Sequence, residues 1–95
     1  MPSETAQLNP HLDIFVFGKV QGVFFRDSAK KIADQLEIKG YAKNEGKFVY
    51  IEAEGTVEDL DNFIEWCHSG SESSVVDRVE FKEGRYKAFR EFNII

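Results

Sequence analysis

The stretch GKVQGVFFR (residues 18–26) joins an apolar run to the start of a helical pattern. Its two glycines are four residues apart, and Arg26 closes it. A glycine turn between a strand and a helix can direct successive backbone N–H groups at one anion. The planar guanidinium of Arg26 would match phosphate or carboxylate oxygens. By spacing alone, an ordinary strand-to-helix turn with Arg26 in solvent explains the stretch equally well.

Apolar patterns flank this stretch on both sides. LDIFVFG (12–18) is apolar at both alternating sets of positions, which predicts a strand buried on both faces. From Phe25 to Leu36 the apolar residues recur at helical spacing, and Asp27 falls in the first turn, where the helix macrodipole favours a carboxylate. We expect Phe25 in the core and Phe24 near the mouth of any site at the turn.

The middle of the chain predicts a hairpin. IKGYAK (38–43) is a candidate strand, NEG (44–46) a turn, and KFVYIEAE (47–54) an alternating strand. One face of that last strand ends in Glu52 and Glu54, so we expect this end of the face to be solvated.

A second helix and further strands follow. TVED (56–59) matches a capping box with Thr56 as N-cap, ahead of apolar residues at helical spacing. HSGSESS (68–74) predicts a loop, VVDRVEFKE (75–83) a strand, and AFREFNII (88–95) offers one more. The order β-α-β-β-α-β predicts an α+β, ferredoxin-like α/β sandwich. Its sheet would be mainly antiparallel, with two helices on one face and an extra C-terminal strand as an option.

Composition limits the chain to one domain, because 95 residues with 42% hydrophobic content suit a single core. We expect residues 1–10 to be a flexible tail and residues 11–95 to be the domain. The lone Cys67 allows no internal disulfide, and the sequence has neither a signal-peptide pattern nor the ~20 apolar residues of a membrane span. We therefore expect a cytoplasmic monomer that does not bind membranes.

Charge is spread unevenly along the chain, whose net charge is −5 at pH 7. Residues 1–47 hold seven Lys/Arg and six Asp/Glu, whereas residues 48–95 hold five and eleven. An acidic chain argues against nucleic acid as a partner, because phosphate neutralisation dominates that affinity. An anion would bind in the first half.

Two motifs carry a family resemblance. VFGKVQGVFFR (16–26) resembles the acylphosphatase signature, in which an apolar residue, G-x-V-Q-G-V, one free position, an aromatic residue and arginine follow one another. GYAKN (40–44), followed by an apolar strand and Gly55, resembles the second signature of the same family. Together the motifs span about 40 residues, and the predicted element order agrees with the fold of that family.

The resemblance implies hydrolysis of acyl phosphates to a carboxylate and inorganic phosphate. It implies that Arg26 and a set of backbone amides hold the phosphoryl group, and that Asn44 orients the attacking water. The matching amides are those of Gln21, Gly22, Val23, Phe24 and Phe25. It implies no cofactor, a small-molecule substrate, and inorganic phosphate or sulfate as competitive ligands. No metal is expected, because His11 and His68 are far apart in the sequence and Cys67 lies on the presumed core face of its helix.

Two departures from the family pattern stand out. The turn glycine Gly46 follows Asn44 by two residues where the family usually has four, so the hairpin is shorter. A register slip there would turn the Asn44 carboxamide to the other face of the sheet. The chain also ends in FNII (92–95), without the closing aromatic residue that the family tends to have.

Two other functions fit parts of the sequence. RNA-recognition domains share the predicted element order, and KGYA (39–42) copies the start of their main signature. That match fails at Lys43, Asn44 and Gly46, and it falls on the second strand where the signature belongs to the third. The other alternative is a catalytically idle acylphosphatase-like module that binds a phosphorylated or carbamoylated ligand, as the corresponding domain of larger maturation proteins would.

Overall fold

The computed structural model describes residues 10–95, so all but Pro10 of the expected tail lies outside the described residues. The elements in chain order are β1 (His11–Lys19), α1 (Phe25–Gln35), β2 (Lys39–Glu45), β3 (Phe48–Glu54), α2 (Val57–Ser69), β4 (Val75–Glu83) and β5 (Phe92–Ile94). This order confirms the β-α-β-β-α-β prediction, and the extra C-terminal strand is present as β5.

The sheet has five strands in the order β4-β1-β3-β2-β5. Its pairs are antiparallel except for β2 with β5, which is parallel. Apolar side chains from both helices and one sheet face form a single core, among them Phe25 and Phe63 from the helices and Ile14 and Val49 from the sheet. The α+β, ferredoxin-like sandwich is therefore confirmed, with two helices on one face and, within residues 10–95, no helix on the other.

The helix-free face corrects the prediction for β1. Ile14 and Val16 are fully buried under the helices, but Phe15 and Phe17 point to the other face and are only half-buried. There they pack beside Phe48 at ring distances of 5.8 and 5.3 Å. The expectation of burial on both faces was wrong because the helices cover one face, and neighbouring aromatic rings shelter each other on the second.

The hairpin turn is shorter than predicted. Asn44 and Glu45 belong to β2, and the connection to β3 consists of Gly46 and Lys47 alone. Gly46 has φ 61°, a conformation that glycine adopts without the clash that a Cβ causes. The predicted NEG turn was therefore wrong by two residues, because a two-residue loop is enough once glycine takes its first position.

The glutamate end of β3 is also corrected, since Glu52 and Glu54 are only 4% and 3% exposed. Residues 84–91 cross the helix-free face there, and the backbone N–H groups of Lys87 and Phe89 donate to the Glu54 carboxylate at 2.6 and 2.9 Å. The His11 ring lies beside the same carboxylate, with Nδ1 2.6 Å from Oε2. We call His11, Asp13, Glu52, Glu54 and Lys87 the His11 cluster.

The second helix follows its predicted cap. The Thr56 hydroxyl accepts a hydrogen bond from the Asp59 N–H at 3.1 Å, and α2 begins at Val57. Cys67 is fully buried on the core side, and burial raises the pKa of its thiol above the ordinary value. It therefore acts as a small core side chain.

Candidate active site

The glycine turn connects β1 to α1 through residues 20–24. Gly18 lies at an irregularity in the β1–β4 pairing, where its φ is 133° and an added Cβ would clash with the Val75 carbonyl. Gly22 has φ 74° and open space around it. The backbone conformation therefore favours glycine at both positions, and the close approach to β4 requires it at Gly18.

Phe24 is the N-cap of α1 and adopts a left-handed conformation, with φ 60° and ψ 25°. This conformation costs a non-glycine residue about 1–2 kcal/mol. The N-cap side chain makes no capping bond to the helix. Within residues 10–95, no hydrogen bond engages the backbone N–H groups of the 21–24 segment. The start of α1 therefore presents free donors and the positive end of the helix dipole.

Two side chains, one in the loop and one outside it, connect this loop to its neighbours. The Gln21 amide nitrogen donates to the carbonyl oxygens of Gly46 and Phe48, at 3.0 and 2.9 Å. The Ser71 hydroxyl donates to the Val23 carbonyl at 3.1 Å. These bonds tie the loop to the β2–β3 turn and to the segment after α2, and they occupy none of the loop's N–H groups.

Arg26 is half-buried at the first turn of α1, where its guanidinium donates to the Ile95 backbone oxygen at 2.9 Å. The Ile95 N–H in turn donates to the Ala42 carbonyl at 2.9 Å. One of the five guanidinium N–H donors is used in this way. The bond links the arginine through Ile95 to β2, and within residues 10–95 its other donors have no hydrogen-bond partner.

A depression of about 320 Å³ lies at this turn. It is lined by Val20, Gly22, Phe24, Phe25, Arg26 and Asp27. Phe25 turns into the core and is 1% exposed, whereas Phe24 stays at the surface and is 74% exposed, so both expectations are confirmed. The depression has room for a phosphoryl group together with part of an attached organic group.

Asn44 lies at the exposed end of β2, opposite Val49 on β3. It shares a sheet face with Ala42, which belongs to the core side and whose carbonyl binds Ile95. The ladder runs without a shift to the pair Glu45–Phe48, so the short turn leaves the register of Asn44 unchanged. Asn44 is thus on the helix side, at the end of the sheet where Arg26 is anchored, although it does not line the depression itself.

Sequence reasoning missed a group of potential metal ligands in the His11 cluster. Ligand atoms of His11, Asp13 and Glu52 lie within 4.8 Å of one another. His11 and Asp13 are two residues apart on β1 and therefore lie on the same face of the sheet, and Glu52 lies on the paired strand. That spacing was the signal that could have revealed the group. Each of these side chains already has a protein partner, since the His11 Nε2 is 2.9 Å from Asp13 and the Lys87 Nζ is 2.8 Å from Glu52. The cluster begins at the N-terminal end of β1, whereas the turn follows the C-terminal end. The two are ~27 Å apart, which is the length of a strand of nine residues.

Comparison with known proteins links the fold to one family. A family model described as acylphosphatase matches residues 12–94. The acylphosphatase of Hahella chejuensis is 40% identical over 75 residues, covering 77% of this chain and 79% of that protein. The crystal structure of acylphosphatase from Bacillus subtilis superposes with a TM-score of 0.87 at 34% identity, covering 90% of this chain and 98% of that one. The structure of T. kodakarensis HypF superposes with a TM-score of 0.76 at 37% identity, covering 90% of this chain and 11% of that one.

Proposed function

Because this chain belongs to the acylphosphatase family, and is therefore a hydrolase that acts on acyl phosphates, we propose how its own residues divide that reaction. Arg26 and the backbone amides of residues 21–25 hold the phosphoryl group, and Asn44 orients the attacking water. The observation that carries this proposal is the set of N–H donors at residues 21–24 that have no partner within residues 10–95, in a turn whose Gly22 and Phe24 line the same depression as Arg26.

The loop and the arginine supply charge stabilisation. Free N–H groups at a helix start bind anions because nothing in the protein competes for them. A guanidinium adds a full positive charge with a geometry that matches phosphoryl oxygens. In phosphoryl transfer the transition state spreads negative charge over these oxygens, so donors fixed in advance lower the barrier.

Asn44 supplies position, because its carboxamide oxygen can accept a hydrogen bond from water and direct a lone pair at phosphorus. Water attacks the phosphorus, the bond from phosphorus to the carboxylate oxygen breaks, and the carboxylate leaves with the electron pair. A carboxamide is too weak a base to hold the proton of the water, so that proton passes to an oxygen of the substrate phosphate. The carboxylate is a good leaving group and needs no general acid.

We propose that the reaction needs no metal ion or cofactor. The leaving group is already activated, and the loop amides with Arg26 provide the positive field that a cation would supply. Inorganic phosphate and sulfate, which match the same donors, should compete with the substrate.

We also propose that residues 11–95 form one domain that acts as a cytoplasmic monomer. One continuous core, built from both helices and the sheet, supports the single domain. A free and buried Cys67 suits a reducing compartment. Among residues 10–95, neither helix has the length and apolar content that crossing a membrane requires.

The RNA-binding alternative is disfavoured by the surroundings of Tyr41, the aromatic residue of the KGYA match. The Tyr41 hydroxyl donates to Glu52 at 2.6 Å, and its ring packs edge-on against Phe89 at 5.8 Å. These contacts fix the ring beside a carboxylate, whose negative charge disfavours an approaching nucleic-acid backbone. The idle-module alternative predicts phosphate binding without turnover, which the following experiment separates.

The test is hydrolysis of benzoyl phosphate with a chelator present. Arg26→Ala should lower kcat/KM by about 10²- to 10³-fold, and Asn44→Ala by roughly 10²-fold in kcat, as expected when a donor or a positioning group is lost. Arg90→Ala and Asn62→Ala are matched controls, since both side chains are exposed and lie outside the depression. Full activity of Arg26→Ala would overturn the site, and full activity of Asn44→Ala alone would remove the water assignment.

A further inference from the structure

We propose that Phe24 is a specificity residue whose ring packs against the organic group of the acyl phosphate. The site would then favour aromatic and extended acyl groups over the acetyl group. This inference rests on the proposed function, because it assumes that the phosphoryl group binds at residues 21–26.

The exposure of Phe24 is the first observation. At 74% its side chain is the most exposed large hydrophobic group among the described residues. Its neighbour Phe25 is 1% exposed and packs on Trp66 at a ring distance of 5.1 Å. Within residues 10–95, the Phe24 ring contacts no other aromatic ring. The fold thus gains no ring packing from this side chain.

The backbone is the second observation. Phe24 holds a left-handed conformation in which glycine would be unstrained and a bulky aromatic residue is disfavoured. Gly22, two residues earlier, already uses glycine for a similar φ. A strained residue with an unburied ring contributes nothing evident to folding, and such strain is concentrated at ligand sites.

The position of the ring gives the inference its chemistry. Phe24 and Arg26 line the same depression, and Gly22 contributes to its wall. A phosphoryl group held by the loop amides and the guanidinium must direct its acyl substituent outward, since Phe25 and the core close the inner side. An exposed phenyl ring at that mouth offers a flat apolar surface, on which an aryl group can stack and which an acetyl group is too small to cover.

The test compares benzoyl phosphate with acetyl phosphate in the same enzyme. The readout is the ratio of kcat/KM for the two substrates, because any disturbance of the loop amides lowers both values together. In Phe24→Gly, which keeps the left-handed backbone, the ratio should fall by about 5- to 10-fold through a higher KM for benzoyl phosphate. Phe24→Tyr should retain the ratio within about 2-fold, because the ring remains.

Phe81→Ala is the matched control. Phe81 is also an exposed aromatic residue, at 52%, but it lies on β4 and outside the depression, so the ratio should not change. An unchanged ratio in Phe24→Gly, or an equal loss with both substrates, would overturn the inference.

Binding of phosphonates, measured directly, separates this inference from the proposed function. If the unmodified enzyme hydrolyses neither substrate, the proposed function fails, and binding still tests the ring. Phenylphosphonate should bind about 5- to 10-fold more tightly than methylphosphonate, and Phe24→Gly should remove the difference. Equal affinity for the two phosphonates in the unmodified enzyme would overturn the role of Phe24.

Discussion

The two ends of β1 carry polar groups in opposite states. At the C-terminal end, the N–H donors of residues 21–24 lie in an exposed turn and have no partner among the described residues. At the N-terminal end, the carboxylates of Glu52 and Glu54 are buried, and each accepts several hydrogen bonds. Buried polar groups with partners are compatible with a stable core, whereas exposed donors without partners are available to a ligand. We therefore assign ligand binding to the C-terminal end of β1 and a stabilising role to its N-terminal end.

The His11 cluster shows how hydrogen bonds stabilise buried polar side chains at this end of β1. Both ring nitrogens of His11 face carboxylates, at 2.6 Å from Glu54 and 2.9 Å from Asp13. Burial by itself raises the pKa of Glu52, but hydrogen bonds from Lys87, Tyr41 and Tyr50 outweigh it, so the net pKa lies below the ordinary value. Burial and the bond to Glu52 also raise the pKa values of both tyrosines. The protein thus keeps the carboxylate charged and the phenols neutral.

The largest expected effect separates activity from stability at the turn. Arg26→Ala should lower kcat/KM by about 10²- to 10³-fold. It should change the free energy of unfolding by only about 1 kcal/mol, because the side chain is half-buried and makes one bond to Ile95. Urea unfolding beside benzoyl phosphate kinetics measures both. A loss of several kcal/mol in the free energy of unfolding would show that the arginine stabilises the fold. It would contradict the assignment of ligand binding to this end of β1.

The reverse result is expected at the other end of β1. Glu54→Ala removes the acceptor for the backbone N–H groups of Lys87 and Phe89 and leaves the buried His11 ring without one partner. The free energy of unfolding should fall by about 3–5 kcal/mol. Under conditions where the variant is folded, its kcat/KM should stay close to that of the unmodified enzyme.

Glu80→Ala is the control for that variant. Glu80 pairs with Arg78 on the surface of the same sheet face, so its loss should change stability by less than about 0.5 kcal/mol. If both glutamate variants lost the same stability, the burial of the His11 cluster would not be the cause.

A smaller effect is expected where Gln21 ties the loop to the β2–β3 turn. Gln21→Ala removes two hydrogen bonds, to Gly46 and Phe48, without removing a backbone donor. The loop should become less ordered, and the affinity for inorganic phosphate should fall by about 5-fold. Competitive inhibition by phosphate measures this. An unchanged inhibition constant would show that the loop keeps its conformation without these two hydrogen bonds.

The pH dependence of stability provides the smallest expected effect. The folded-state pKa of Glu52 lies below the unfolded value of 4.5, so the unfolded chain binds the proton first as the pH falls. The contribution of Glu52 is complete above that unfolded value and is lost as the pH falls through the folded pKa. Urea unfolding at several acid pH values should show a shallower slope for Glu52→Gln. An identical slope would contradict the assignment.

Local patterns in the sequence were sufficient for much of the fold. The alternation in residues 75–83 gave the bounds of β4, and the spacing of Thr56 and Asp59 gave the start of α2, because each depends on neighbours in the chain. The motif in residues 18–26 likewise located the turn whose N–H donors have no partner within residues 10–95.

Long-range contacts set the limit of that prediction. Glu54 was expected in solvent because no local pattern indicates that His11 and Lys87, which lie 43 and 33 residues away, would enclose it. The hydrogen bond from the Gln21 side chain to Phe48 was missed for the same reason, because the two residues are 27 positions apart in the chain. Asn44 was placed in a turn because glycine position alone does not determine whether a hairpin loop has two residues or more.

The most direct test of the central claim follows the amide N–H signals of the protein by NMR as inorganic phosphate is added. We expect saturable shifts at residues 21–25 and at the Arg26 side chain, none at the His11 cluster, and the loss of these shifts in Arg26→Ala. Saturable shifts confined to other residues, or no saturable shift at the turn, would contradict the claim that its free donors hold the phosphoryl group.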